Sequence, residues 1–222
     1  MHIDLTHRIT SSGDWATILF ILTLALLTVN KNVFSVRFHD YIRLIYSDKY
    51  LKIYKDNNNL MSWFTISMFI VQLISYSFFA HILLSYLKYT NIYSFLDFLK
   101  ILNLLTFFTL GKYLIEKIIS VFFNIEEFTE KYNLIKVNFR SYLALLLLPI
   151  SMLIFYTKTQ EIYVFYIALP IILITNIIMY SFILKNHQKL IQKHIFYFIL
   201  YLCTLEIAPY LLIYKLVAFS VS

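Results

Sequence analysis

The sequence has 222 residues, of which 60% are hydrophobic and only 14% are charged, and its formal net charge is +7 at pH 7. A soluble domain carries about 25% charged residues, so the composition excludes a soluble enzyme fold and a disordered chain. Two glycines and one cysteine also exclude a doubly wound nucleotide-binding domain and a disulfide scaffold. The sequence predicts an all-α fold: a polytopic membrane helix bundle that forms a single integral membrane domain over residues 1–222.

Six apolar stretches are candidate transmembrane helices, because a bilayer core of about 30 Å needs about 20 residues of helix. The first stretch is short, and we interpret it as a retained helix because no small-residue cleavage site follows it. The third is interrupted by charged residues. The six predicted spans cover approximately residues 15–29, 61–87, 98–123, 142–156, 162–184 and 195–216.

The basic residues are concentrated in the odd-numbered loops. Of the nineteen Lys and Arg residues, six lie in the first loop, four in the third and three in the fifth. The positive-inside rule therefore predicts that these loops are cytoplasmic and that both termini are periplasmic. This distribution favours orientation in a lipid bilayer as the role of the positive charge, and not binding to nucleic acid.

The first loop, residues 30–60, is the largest segment between predicted spans. Its apolar residues recur at helical spacing, at Phe34, Phe38, Tyr41, Ile42 and Ile45. This pattern predicts a short helix that either lies in the headgroup region or packs against the protein itself. In the first case, Arg37, Arg43 and Lys49 are the candidate basic residues that face anionic lipid.

The third loop, Asn124 to Asn138, mixes acidic and basic residues, namely Glu126, Glu127, Glu130, Lys131 and Lys136. We interpret this segment as a cytoplasmic helical extension of the third span. On this interpretation Lys136 is one of the four basic residues of that loop.

A candidate intramembrane polar site consists of Glu206, Pro209, Lys112, Glu116 and His81. Glu206 lies near the middle of the sixth span, and Pro209 removes a backbone hydrogen bond beside it. Lys112 is the predicted partner of Glu206, and it can also pair with Glu116 four residues along its own helix. Such pairs either fix the register of the helices or take part in ion transport. His81, near the outer end of the second span, is predicted to be a packing residue.

Other polar residues within the spans are predicted to face neighbouring helices. Thr109, Lys112, Glu116 and Ser120 form one stripe at helical spacing, which should point into the bundle. Gln72, Asn103 and Asn176 are expected to form hydrogen bonds between helices. The sequence contains none of the common catalytic motifs, and it predicts no cofactor and no metal site.

Five segments of the sequence resemble a family of uncharacterised multi-pass membrane proteins from Bacteroidota, classified as a domain of unknown function. The segments are Asp14-Trp15, Ser47-Asp48-Lys49-Tyr50, Leu114 to Ile119, Phe123 to Glu126 and Phe196 to Lys215. The resemblance covers nearly the whole chain, and its most specific part is the stretch that holds Glu206 and Pro209. It implies a location in the inner membrane of a diderm bacterium and implies no activity.

Three classes of function are compatible with these features. The first is a non-enzymatic component or scaffold of an envelope complex, with the lipid bilayer and other envelope membrane proteins as its partners. A link to the secretion or gliding machinery of Bacteroidota rests only on the restriction of the resembled family to that phylum. The second is a small ion-coupled transporter that uses Glu206, Lys112 and Glu116. The third is a membrane-embedded enzyme that acts on lipid.

Overall fold

The structure, a computed structural model, describes residues 13–43, 62–122 and 126–157, together with positions 170, 174 and 177. These residues form five α-helices and no strand. We label the helices α1 to α5 in chain order. They are α1 (Asp14–Val33), α2 (Ser35–Ile42), α3 (Trp63–Tyr86), α4 (Phe95–Phe122) and α5 (Glu126–Thr157).

Four helical segments are long and apolar enough to cross a membrane. They are α1, α3, α4 and the part of α5 from Asn133 to Thr157, and they correspond to the first four predicted spans. The predicted spans at 162–184 and 195–216 lie outside the described residues, apart from three helical positions in the first of them. The all-α, membrane-embedded character is therefore supported, whereas the six-span count and the position of the termini remain predictions.

Helix α3 is the central helix of the described bundle, with α1, α4 and α5 packed around it. At one end of the bundle the packing is aromatic. The ring of Phe78 on α3 stacks on Phe20 of α1 at a centroid distance of 4.2 Å, and it lies 4.6 Å from Phe98 of α4. Trp15 stacks on the same ring, and its indole N–H donates a hydrogen bond of 3.1 Å to the Tyr93 carbonyl.

Helices α3 and α5 are joined by hydrogen bonds along their contact. The Ser75 hydroxyl donates to the Ala144 carbonyl at 2.7 Å, and the Ser141 hydroxyl donates to Gln72 Oε1 at 3.0 Å. The predicted interhelical role of Gln72 is therefore confirmed. Asn103, in contrast, is exposed on α4, and Asn176 lies outside the described residues.

The first loop begins with α2, and its apolar face packs on the protein. Phe38 and Tyr41 are buried, and the Tyr41 hydroxyl donates to the Asn138 carbonyl at 2.9 Å. Arg37 lies 4.8 Å above the Phe64 ring. This cation–π contact holds Arg37 against α3, and its role as a lipid-facing residue stays a prediction.

Of the other two predicted lipid-facing residues, Arg43 is exposed. Lys49 lies outside the described residues, as does Ile45. An interfacial role for the remainder of the first loop therefore stays a prediction.

The interpretation of residues 124–138 as an extension of the third span is wrong. The third span ends with α4 at Phe122, and the residues from Glu126 onward belong to α5, which runs without interruption to Thr157. The physical reason is that the buried face of α5 begins well before its apolar run. Leu134 and Ile135 are buried there, and Lys136 is only 3% exposed and is not a loop cation.

We predict that Phe78→Ala lowers the free energy of unfolding by about 3 kcal/mol or more, because it leaves a cavity among the rings of Trp15, Phe20 and Phe98. The measurement is the thermal denaturation of the purified protein in a mild detergent. Phe107→Ala is the matched control, since Phe107 is 81% exposed. Equal losses of stability in the two variants would show that the aromatic cluster is not a packed core.

Candidate functional site

The polar stripe of α4 faces into the bundle. Lys112, Glu116 and Ser120 are buried and Thr109 is half-buried, whereas the neighbouring Leu114 is 58% exposed. The helical spacing predicts this orientation. Lys112 lies ten residues before the last residue of α4, which is about 15 Å along the helix axis.

Glu116 forms a buried ion pair with Lys136 of α5. The distance from Lys136 Nζ to Glu116 Oε1 is 2.6 Å, and the two side chains are 4% and 3% exposed. Removing charges from water is costly, and a short charge-assisted hydrogen bond offsets part of that cost. The carboxylate that was predicted to pair with Lys112 along α4 is therefore bonded to the next helix.

The sequence interpretation did not predict that Lys136 is buried, because it assigned the charged segment before the fourth span to a loop. A signal was present in the sequence. Counting back from Leu147 and Leu143 in steps of three or four residues leads through Lys136 to Thr129, and all four residues are buried. The buried face of the helix therefore predicts the inward position of Lys136.

A cavity of about 190 Å³ lies between α3, α4 and α5, next to the ion pair. It has room for several water molecules or for a small polyatomic ion. Four charged residues line it: Lys112, Glu116, Lys136 and Arg140. The charged lining thus contains three basic groups and one acidic group.

Asn133 of α5 also lines this cavity. Its side chain is 4% exposed, and its Oδ1 has no hydrogen-bond partner within the described ranges. Asn133 also borders a second space of about 20 Å³, which Tyr113, Ser120 and Thr129 help to line. A buried polar atom without a protein partner usually bonds to water or to a ligand, so the Asn133 Oδ1 marks a polar position between the two spaces that this residue lines.

The cavity also has an apolar side. Ile66 of α3 and Leu110 of α4 line it, and they are 39% and 46% exposed. The half-buried Phe69 of α3 also lines it. The cavity therefore combines ionisable groups with apolar groups that reach the surface.

His81 does not belong to this site. It lies sixteen residues after Thr65, which lines the cavity, and this spacing is about 24 Å along α3. The fully buried ring donates its Nε2–H to the Ile92 carbonyl at 3.2 Å and packs edge-on against Phe98. Its Nδ1 has no hydrogen-bond partner among the residues that the structure describes. The structure separates His81 from Lys112 and Glu116, with which the sequence grouped it.

Glu206 and Pro209 lie outside the described residues. The proposed pairing of Lys112 with Glu206 is therefore still a prediction. In the described part of the chain, no group of three or more His, Cys, Asp or Glu side chains is arranged to hold a metal ion.

Comparison with known families gives one match. The family model described as "Domain of unknown function (DUF4271)" matches residues 16–217. The chain belongs to this family. No curated protein and no solved structure matches the chain. The family match covers all five described helices except the first two residues of α1, so the cavity and its ion pair lie within the DUF4271 domain.

We predict that either Glu116→Gln or Lys136→Met alone lowers the free energy of unfolding of this DUF4271 member by about 3–5 kcal/mol, because each leaves an unpaired buried charge. The double variant should recover most of that loss, since it buries no charge. A double-mutant cycle of thermal stability in detergent measures the coupling.

The control for this cycle is the ion pair between Asp97 and Lys100 at the opposite end of α4, whose Lys100 side chain is 77% exposed. Lys100→Met should leave the melting temperature nearly unchanged, because exposed ion pairs contribute little. Additive losses for Glu116 and Lys136 would show that the two side chains are not paired in the membrane protein.

Proposed function

We propose that this DUF4271 protein is a small ion-coupled transporter and that the cavity between α3, α4 and α5 is its intramembrane site. The observation that carries this proposal is the combination of open volume with buried ionisable residues at membrane depth. Charged side chains within spanning helices are costly to bury, and in membrane proteins they commonly mark ion and substrate pathways.

The arrangement around Glu116 supports a transport role. The carboxylate is bonded to Lys136, and Lys112 lies one helical turn away on the same face of α4. A carboxylate between two lysines can change partner when a ligand or a proton arrives, and this exchange couples binding to a movement of α4 against α5. Glu206 and Pro209 are included in the proposal on the basis of the sequence alone. Glu206 is the second predicted intramembrane acid, and Pro209 is predicted to remove a backbone hydrogen bond beside it.

For location, we propose the inner membrane, with six spans and both termini in the periplasm. The bias of basic residues toward the odd loops supports this orientation. Lys117 lies within α4, and Lys136 and Arg140 lie within the spanning segment from Asn133 to Thr157, so Lys131 is the one counted basic residue that stays in the third loop. The first and fifth loops keep the direction of the bias unchanged. In this orientation the cavity lies in the cytoplasmic half of the bundle, near the ends of α3 and α4 that border the first and third loops.

A scaffold of an envelope complex is the other role that the sequence predicts. Its geometric support would be the apolar surface of α4, where Leu104 and Phe107 are 68% and 81% exposed. Acyl chains fit such a surface as well as a partner protein does. The exposed face of α4 therefore favours neither role, whereas the cavity favours transport over both the scaffold and the lipid enzyme.

We expect reconstituted full-length protein to produce transient currents on a solid-supported membrane after concentration jumps of protons, sodium, chloride or phosphate. Glu116→Gln should reduce the current by about tenfold or more, because the variant removes the acid at the centre of the site. Glu206→Gln tests the predicted second acid without breaking the described ion pair.

Asp97→Asn is the matched control, because it removes an acid from the opposite end of α4 and should retain the current. Size-exclusion profiles establish that each variant is folded. Wild-type liposomes that give no more current than protein-free liposomes for all four ions would refute the transport proposal.

A further inference from the structure

We propose that the small space between α4 and α5 binds one monovalent metal cation, such as sodium, through the side-chain oxygens of Glu126, Glu130 and Asn133. This space of about 20 Å³ is separate from the cavity of about 190 Å³. The inference names a coupling ion for the proposed function and rests on that function only for the coupling. Binding of the cation is a separate property and is tested separately.

The side chains around the small space are rich in oxygen. Six of its eight lining residues carry a side-chain oxygen, and they are Tyr113, Ser120, Glu126, Thr129, Glu130 and Asn133. Carboxylate, amide and hydroxyl oxygens are the groups that hard cations bind. The spacing of Glu126, Glu130 and Asn133 in steps of four and three residues places them on one face of α5. Only two of the six residues are acidic, so neutral oxygens complete the set.

The buried amide of Asn133 is the observation that points to a ligand. Asn133 is 4% exposed, and its Oδ1 has no hydrogen-bond partner among the described residues. An amide oxygen only accepts hydrogen bonds, so the partner that it lacks is a donor or a cation. A bound cation satisfies this oxygen, whereas an anion does not.

The charge of the lining selects for a cation of low charge. Glu126 and Glu130 contribute two carboxylates, and the exposed Lys117 of α4 contributes one ammonium group. None of these three side chains forms an ion pair within the ranges that the structure describes. The lining therefore carries one net negative charge, which a single monovalent cation neutralises and a divalent cation reverses.

The volume of the space limits the size of the cation. About 20 Å³ is little more than the space of about 10–15 Å³ that one water molecule needs. The space therefore admits one ion that exchanges most of its water for the lining oxygens. Magnesium gives up its water reluctantly, and an organic cation such as choline is too large.

Asn133 connects this space to the proposed transport site. It lines the small space and the cavity of about 190 Å³. A cation in the first and a ligand in the second therefore contact the same side chain. This shared residue gives a direct physical route by which binding of the cation affects binding in the cavity.

The test is the rise in melting temperature that sodium causes in the full-length protein in a neutral detergent, since a ligand that binds the folded state stabilises it. Sodium chloride replaces choline chloride at constant ionic strength. A parallel arm titrates magnesium chloride at the same ionic strength. We expect a saturable rise with sodium and a smaller rise, or none, with magnesium.

Three variants test the location of the site. Glu130 is exposed, so Glu130→Gln should fold normally, and it should weaken sodium binding by about tenfold or more because it removes a charged ligand. Asn133→Asp is nearly isosteric and places a third carboxylate at the buried amide, so it should strengthen sodium binding by about tenfold. Asp97→Asn removes an acid from the opposite end of α4 and should bind sodium as the wild type does.

The inference is overturned if sodium stabilises the protein no more than choline, if magnesium stabilises it more than sodium, or if Glu130→Gln and Asn133→Asp both respond like the wild type. An equal loss of the response in Asp97→Asn and Glu130→Gln also overturns it. The outcome separates this inference from the transport proposal. Sodium binding without any current sustains the site and refutes transport, whereas current without sodium binding sustains transport and refutes the site.

Discussion

In the described part of the chain, a buried ion pair joins the second half of α4 to α5. The buried residues of α4 fall into two groups, which are Phe98 and Ile101 near its start and Lys112, Glu116 and Ser120 toward its end. Between these groups the helix presents exposed apolar side chains such as Phe107. The aromatic cluster fixes the first group against α3. The bond from Lys136 to Glu116 fixes the second group against α5, and it does so in an environment where only a paired charge is tolerated.

The two ends of the described bundle are therefore stabilised by different interactions. At the end that contains Trp15 and Phe78, stacked rings exclude water and tolerate no space between the helices. At the other end, buried charged side chains border the cavity of about 190 Å³ between α3, α4 and α5. Hydrogen bonds between α3 and α5, such as that from Ser75 to the Ala144 carbonyl, keep this pair of helices together along the length that separates the two ends. Among the described residues, the polar end of α4 is joined to α5 by the ion pair between Glu116 and Lys136.

Much of this architecture follows from the sequence, because apolar length and helical spacing are local properties. The first four spans, the inward stripe on α4 and the interhelical role of Gln72 were all predictable. The buried position of Lys136 was not predicted, because charged segments are ordinarily assigned to loops. That assignment does not take into account an acid on another helix, here Glu116, that neutralises the charge. The contact of Arg37 with the Phe64 ring was not predictable for a related reason, since Phe64 comes from a different helix. Both cases concern cations whose partners are distant in the sequence, and such pairings become visible only when the helices are assembled.

A purely structural role explains Glu116 and Lys136 but does not explain their surroundings. An ion pair that only fixed helix register would be served best by close apolar packing around it, because unfilled volume beside a buried pair costs stability. This pair instead adjoins open volume, a second buried lysine at position 112 and the buried amide of Asn133, whose Oδ1 has no hydrogen-bond partner within the described part of the chain. The open volume and the unbonded amide oxygen cost free energy in an empty bundle, and both become favourable when a ligand occupies the space. A ligand-binding role therefore accounts for the pair, the volume and the amide, whereas register alone accounts for the pair.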